Sequence, residues 1–102
     1  MLLAHELSGP TDAAPLVLVH GITESRHSWR PVVDNLSTDH RILAVDLRGH
    51  GDSPTGDRYD PMSYAGDVLE TAAAVGMAGA GAIGHSLGGV VVSAMAAMAG
   101  AP

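Results

Sequence analysis

Apolar positions along this chain form short continuous runs in some segments and helical periodicities in others. Continuous runs at residues 16–19 and 41–45 are typical of strands that are covered on both faces of a sheet. Weaker strands are predicted at residues 2–7 and 80–83. The pattern therefore predicts four strands, separated by longer segments.

Three other segments have helical spacing. One helix is predicted to begin at Asp60, a capping residue before Pro61, and to end at Gly76. Another is predicted over residues 87–99, and a third around Trp29, with Ser28 as its candidate cap. The predicted inner faces are Trp29, Val33 and Leu36; Tyr64, Val68, Ala72 and Val75; and Val91, Ala94, Met95 and Met98. Strands alternating with helices indicate a single α/β domain with a parallel sheet.

Composition narrows the function. Hydrophobic residues make up 46% of the 102 positions, which is enough for one domain with a core. The net charge of −6 and the absence of lysine argue against a nucleic-acid partner. Without cysteine there is no thiolate nucleophile and no cysteine-based metal site. We expect neither a metal nor a cofactor.

Two segments bear on location. Residues 1–6 lack the basic flank and apolar run of a signal peptide, so we expect a cytoplasmic protein. Residues 71–102 contain no charged side chain, which is compatible with a membrane segment. However, glycines interrupt this stretch, and it is rich in alanine rather than leucine. A strand and a helix buried in an α/β core explain it better, and no membrane contact is expected.

The sequence Gly84-His85-Ser86-Leu87-Gly88, which we call the Ser86 turn, lies between a predicted strand and a predicted helix. A serine at such a bend has a strained backbone, and its neighbours two positions away must be small. The bend exposes the hydroxyl above the sheet, at a helix N-terminus that favours negative charge. The alternative is a glycine-rich turn with an incidental serine. We predict that Ser86 is a catalytic nucleophile.

A second turn follows the run at residues 16–19 and begins His20-Gly21-Ile22. Acyl transfer needs two N–H donors aimed at the oxyanion, one beside the nucleophile and one from a neighbouring loop. The backbone N–H groups of Leu87 and Ile22 are the candidates. The alternative is a tight turn with a hydrogen-bonded histidine.

Residues 46–53, here the Asp46 loop, combine acidic residues, histidine and glycine. This composition is compatible with a metal site or a catalytic base. Backbone turns, side-chain-to-backbone hydrogen bonds and an ion pair between Arg48 and a carboxylate explain it better. We therefore predict a structural role.

Taken together, these motifs resemble those of the α/β-hydrolase superfamily, in its serine-nucleophile branch. The similarity spans essentially the whole chain and rests on residues 16–21, Trp29, residues 45–53 and residues 84–89, in that order. It implies the N-terminal part of that fold, with a mostly parallel sheet and helices on both faces. It also implies Ser86 as nucleophile and Ile22 and Leu87 as oxyanion donors.

The family's catalytic acid and base follow the serine along the chain. Here all six histidines precede Ser86, and no Asp or Glu follows it. We therefore expect a chain truncated after the last helix, incomplete on its C-terminal side and inactive alone. His20 is the one candidate for an improvised base, but we do not expect it to act as one. The strand ending at Gly84 would form an open edge, which favours self-association.

Two hypotheses follow. In the first, the parent protein is a serine hydrolase that cleaves an ester-like or related carbonyl small molecule through an acyl-enzyme. A serine at position 86 disfavours the haloalkane dehalogenase and epoxide hydrolase branches, which use an aspartate. Esterases, lactonases, thioesterases, acyltransferases and cofactor-free haloperoxidases remain open. In the second, the chain is a non-catalytic remnant or binding module.

Overall fold

A computed structural model describes residues 1–98 as four strands and three α-helices. The strands are β1 (His5–Ser8), β2 (Ala14–Val19), β3 (His40–Val45) and β4 (Gly81–Gly84). The helices are α1 (Arg30–Leu36), α2 (Pro61–Ala74) and α3 (Leu87–Met98), and a 3-10 helix at Arg26–Trp29 precedes α1.

The four strands form one sheet in the order β1-β3-β2-β4. Strand β2 pairs in parallel with both β3 and β4, and only β1 is antiparallel. In this register Val19 at the end of β2 lies opposite Val45 on one side and Gly84 on the other. The segments that follow β2, β3 and β4 therefore leave the sheet side by side at its carboxyl edge.

Helices cover both faces of the sheet, as predicted. On one face Leu18, Ile42 and Ala44 pack against the 3-10 helix and α1. On the other face α2 and α3 cover the opposite side chains of the same strands, including Val19 and Val45. Strand residues 17–19 and 42–45 are almost fully buried, because in a central parallel strand both sets of side chains face helices.

Helix α2 has the termini that its sequence predicted. The Asp60 side chain accepts a hydrogen bond from the Ser63 N–H (2.8 Å), and Gly76 beyond the helix has φ +77°. Of the predicted inner face, Tyr64, Val68 and Ala72 are buried, and Val75 is partly exposed.

Three predictions differ from the structure, two on element boundaries and one on burial. The first strand begins at His5 rather than at residue 2, because the Leu3 N–H donates to the Thr71 hydroxyl on α2 (3.0 Å) instead of to the sheet. Ser25 rather than Ser28 caps the 3-10 helix, and its hydroxyl accepts from the His27 N–H (3.2 Å). In α3, the Met98 side chain was predicted to lie on the buried face, but it is 41% exposed.

The predicted end of α3 at Ala99 lies outside the described residues. Strand β4 is an outer strand of the sheet formed by residues 1–98, and Ile83 on it is 43% exposed. Among those same residues, the helices are too short or too polar to span a bilayer.

Candidate active site

The Ser86 turn bends sharply between β4 and α3. Ser86 has φ +58°, one of two positive values at non-glycine positions within residues 1–98, and it is exposed. A Cβ at Gly84 would overlap the Gly88 carbonyl, and a Cβ at Gly88 would overlap the Val19 carbonyl. The two glycines therefore allow α3 to approach both β4 and β2 closely enough to hold Ser86 in its left-handed conformation.

The turn after β2, residues 21–24, lies directly against Ser86, and we call it the Gly21 turn. A Cβ at Gly21 would lie 3.2 Å from the Ser86 Cβ and 3.1 Å from the His85 carbonyl oxygen. The Gly21 turn is closed by the Glu24 N–H, which donates to the Gly21 carbonyl (3.2 Å), and it holds Thr23 at φ +64°. Two strained turns thus meet at one point of the sheet edge.

Four backbone N–H groups at this point, those of Ile22, Thr23, Ser86 and Leu87, have no partner among residues 1–98. Neither Ile22 nor Leu87 donates its N–H to a backbone or side-chain acceptor in that part of the chain. Leu87 is the first residue of α3, so its N–H lies at the positive end of the helix dipole. The predicted oxyanion donors are thus both free, and they belong to the two turns that meet beside Ser86.

The His20 side chain is hydrogen-bonded to the Gly21 turn. It is fully buried; its Nε2 accepts from the Leu47 N–H (2.9 Å), so its Nδ1 carries the proton and donates to the Gly21 carbonyl (2.7 Å). Burial lowers the pKa of His20. Both ring nitrogens are occupied, so neither is free to accept the Ser86 proton, as expected. The residue joins the turns after β2 and β3.

The Asp46 loop is held together from within. The buried Asp46 carboxylate accepts from the N–H groups of Arg26 (2.6 Å) and Asp52 (2.9 Å), and it forms an ion pair with the Arg26 guanidinium. Burial alone would raise the pKa of Asp46, but these hydrogen bonds and the Arg26 charge outweigh it and hold the pKa below its usual value. The carboxylate therefore stabilises this loop.

The remaining polar groups of this loop are also paired. Arg48 forms a two-pronged ion pair with Asp67 on α2 (2.8 and 3.0 Å), which confirms the predicted carboxylate partner. The Ser53 hydroxyl donates to the Asp46 carbonyl (2.6 Å) and accepts from the Ala4 N–H (2.9 Å). No group of three or more potential metal-binding side chains occurs within residues 1–98.

Glu24 is a site residue that the sequence analysis missed. Its Oε1 accepts from the Gly21 N–H (2.8 Å) and lies 3.2 Å from Nδ1 of His85, the neighbour of Ser86. These contacts, first the Gly21 N–H and then His85, lower the pKa of Glu24. Only the closure of the Gly21 turn brings the two side chains together.

A cavity of about 220 Å³ opens beside this pair. It is lined by Glu24, Ser28, Trp29, Val32 and His85. Its lining therefore combines polar and apolar side chains, and His85 connects it to the Ser86 turn.

The same strand, turn and helix arrangement occurs in known proteins. A family model described as the alpha/beta hydrolase fold matches residues 14–102. The chain belongs to the α/β-hydrolase superfamily. Esterase YbfF of Escherichia coli (strain K12) is 38% identical over 86 residues, which cover 84% of this chain and 34% of that protein.

Other members of the superfamily are comparably similar to this α/β-hydrolase chain. A soluble epoxide hydrolase of Corynebacterium sp. (strain C12) is 42% identical over 80 residues, which cover 76% of this chain and 27% of that protein. The solved structure of an esterase from a marine microorganism superposes with a TM-score of 0.90 at 28% identity, covering 95% of this chain and 37% of that one. The chain spans about a third of the length of the curated relatives it matches.

Proposed function

We propose that Ser86 is the nucleophile of a hydrolase that cleaves an ester-like or related carbonyl substrate. The observation that carries this proposal is the exposed Ser86 at φ +58°, with the unpartnered N–H groups of Ile22 and Leu87 beside it. A strained, exposed serine next to two free donors is the arrangement that acyl transfer requires.

In the proposed reaction the Ser86 oxygen attacks the substrate carbonyl carbon while a base removes the hydroxyl proton. The carbonyl oxygen becomes an oxyanion and accepts hydrogen bonds from Ile22 and Leu87. Collapse of the tetrahedral intermediate expels the leaving group, which takes up the proton, and leaves an acyl-enzyme. Water then repeats the same steps and releases the acid.

The base for this reaction is not found among residues 1–98. No histidine there is hydrogen-bonded to Ser86, and His20 is occupied on both ring nitrogens. We propose that a histidine and a carboxylate outside this chain complete the site in the whole protein. The chain alone should then show only the contribution of its N–H donors, about 10³-fold to 10⁴-fold over water at most.

The similarity to relatives leaves two reaction classes to separate. The names of the relatives include an esterase, a soluble epoxide hydrolase and non-heme chloroperoxidases. Opening an epoxide in this family uses an aspartate nucleophile, and position 86 is serine. The serine favours the esterase-like class, including lactonase, thioesterase, acyltransferase and haloperoxidase variants.

Covalent labelling tests the proposal on the chain itself. The purified chain is incubated with a fluorophosphonate probe and with imidazole as an external base, and the labelled serine is located by peptide mass spectrometry. We expect Ser86 to react at least about tenfold faster in the folded chain than in urea, because only the folded chain presents both donors. Ser86→Ala should remove the label, and Ser93→Ala, an exposed serine on α3, should keep it.

Equal labelling of the folded and unfolded chain would contradict the proposal and favour the non-catalytic alternative. The coding sequence around this chain provides a second test. An Asp or Glu codon followed by a His codon in the downstream frame would support the proposed triad.

A further inference from the structure

We propose that Glu24 is a positioning residue for the oxyanion site, an inference that rests on the proposed function of Ser86. A single carboxylate oxygen of Glu24 contacts both turns that form the site. It accepts from the Gly21 N–H at 2.8 Å and lies 3.2 Å from Nδ1 of His85. Glu24 therefore connects the turn that carries the Ile22 N–H to the turn that carries the Leu87 N–H.

The Gly21 turn needs such a contact because its backbone is strained. Thr23 has φ +64°, a conformation that a β-branched residue rarely adopts unless its surroundings impose it. The Glu24 carboxylate binds the Gly21 N–H, and the Glu24 N–H binds the Gly21 carbonyl. With both polar groups of Gly21 engaged, the N–H groups of Ile22 and Thr23 are the two in this turn that remain free within residues 1–98.

The packing around Gly21 supports the same role. A Cβ at this position would lie 2.7 Å from the Glu24 Oε1 and 3.2 Å from the Ser86 Cβ. The carboxylate and the serine thus lie against the same side of the glycine, with no room for a side chain between them. A shift of the carboxylate would change the place of the Gly21 turn relative to Ser86.

The charge of Glu24 does not explain its position. A carboxylate near a developing oxyanion disfavours it by repulsion. The hydrogen bond from Gly21 and the proximity of His85 hold the pKa of Glu24 below its usual value, so the side chain is charged near neutral pH. What the site gains from Glu24 is the acceptor oxygen, and glutamine also has an acceptor oxygen at that position.

Three variants of the full chain separate these contributions in the fluorophosphonate and imidazole assay. We expect Glu24→Ala to lower the rate of Ser86 labelling about tenfold, because Ile22 loses its fixed direction. Glu24→Gln should label at the wild-type rate or faster, because it keeps the acceptor and removes the repulsion. Glu70→Ala, which removes a half-exposed carboxylate on α2, should label like the wild type.

Amide hydrogen exchange reports on the turn independently of labelling. The Gly21 N–H should be protected in the wild type and in Glu24→Gln, and it should exchange at least about tenfold faster in Glu24→Ala. If Glu24→Ala does not fold, Glu24→Asp takes its place, because its shorter side chain withdraws the oxygen from Gly21.

The outcomes distinguish this inference from the proposed function. Fast labelling of Ser86 in the folded wild type, with an equal rate in Glu24→Ala, would overturn the role of Glu24 and leave the nucleophile intact. A Glu24→Gln variant as slow as Glu24→Ala would show that charge matters and would also overturn it. Equal labelling of the folded and unfolded wild type would overturn both proposals.

Discussion

The Asp46 loop and the Ser86 turn leave the same edge of the sheet on either side of β2, but their polar groups differ in every respect. In the Asp46 loop the carboxylate is fully buried and accepts from two backbone N–H groups and a guanidinium. In the Ser86 turn the serine is exposed, its backbone is strained, and the neighbouring Leu87 N–H has no partner within residues 1–98.

This comparison shows what distinguishes a candidate active site from a structural loop. The Asp46 loop has more charged residues, yet nearly all of its polar groups are used to hold backbone in place. The Ser86 turn contains no Asp, Glu, Lys or Arg, and the N–H groups of Ser86 and Leu87 have no partner within residues 1–98. Unused donors and backbone strain, rather than the density of charge, are therefore the grounds on which the Ser86 turn is the candidate site.

The largest expected loss of stability follows from replacing the buried carboxylate of Asp46. Asp46→Asn should lower the free energy of unfolding by roughly 3–5 kcal/mol, because Arg26 loses its one buried carboxylate partner and the N–H groups of Arg26 and Asp52 lose a charged acceptor. Asp52→Asn, in the same loop but 75% exposed, should change it by less than about 0.5 kcal/mol. Urea denaturation of the wild type and the two variants measures both changes in the free energy of unfolding. Equal losses at the two positions would contradict the structural role of Asp46.

The ion pair of Asp46 and Arg26 also makes the stability of the chain depend on pH. The pKa of Asp46 is lower in the folded chain than in the unfolded chain. The ionised carboxylate therefore stabilises the folded chain fully above the unfolded pKa of about 4, and this contribution is lost as the pH falls toward the folded pKa. The wild type should lose this contribution below about pH 4, whereas Asp46→Asn should lack that part of the dependence.

A smaller effect is expected at the glycines of the Ser86 turn. Gly88→Ala should lower the free energy of unfolding by about 2–3 kcal/mol, because the new methyl group overlaps the Val19 carbonyl. Gly89→Ala is the matched control, since its Cβ would lie 3.8 Å from its nearest neighbour, the Gly84 carbonyl oxygen. That variant should gain up to about 1 kcal/mol from helix propensity. Thermal unfolding that ranks the two variants the other way would refute the close approach of α3 to β2.

The smallest expected changes in stability are those of two serine variants, one from each region. Ser53→Ala should lower the free energy of unfolding by about 1–2 kcal/mol, because the partly buried end of the Asp46 loop loses hydrogen bonds to Asp46 and Ala4. Ser86→Ala should leave stability within about 0.5 kcal/mol while removing the fluorophosphonate label. Denaturant titrations of both variants give the difference. A large loss of stability in Ser86→Ala would indicate that the serine side chain has a structural role and would contradict the proposed chemical role.

Local chemistry made much of the fold predictable. Two apolar runs became the central strands, and Asp60 and Gly76 mark the termini of α2, because capping and left-handed glycine depend on a few neighbouring residues. The first strand was placed too early because Leu3 bonds to Thr71, 68 positions away. No local pattern contains that contact.

For the candidate site, the sequence by itself determined the glycine-flanked serine at position 86 and the two turns that follow parallel strands. These follow from spacing, because a sharp bend needs small residues at fixed offsets. Only the tertiary structure decided that His20 is a buried connector, that Arg26 is the partner of Asp46, and that Glu24 joins the Gly21 turn to His85. Those contacts depend on the register of β2, β3 and β4, which brings loops far apart in sequence to one edge of the sheet.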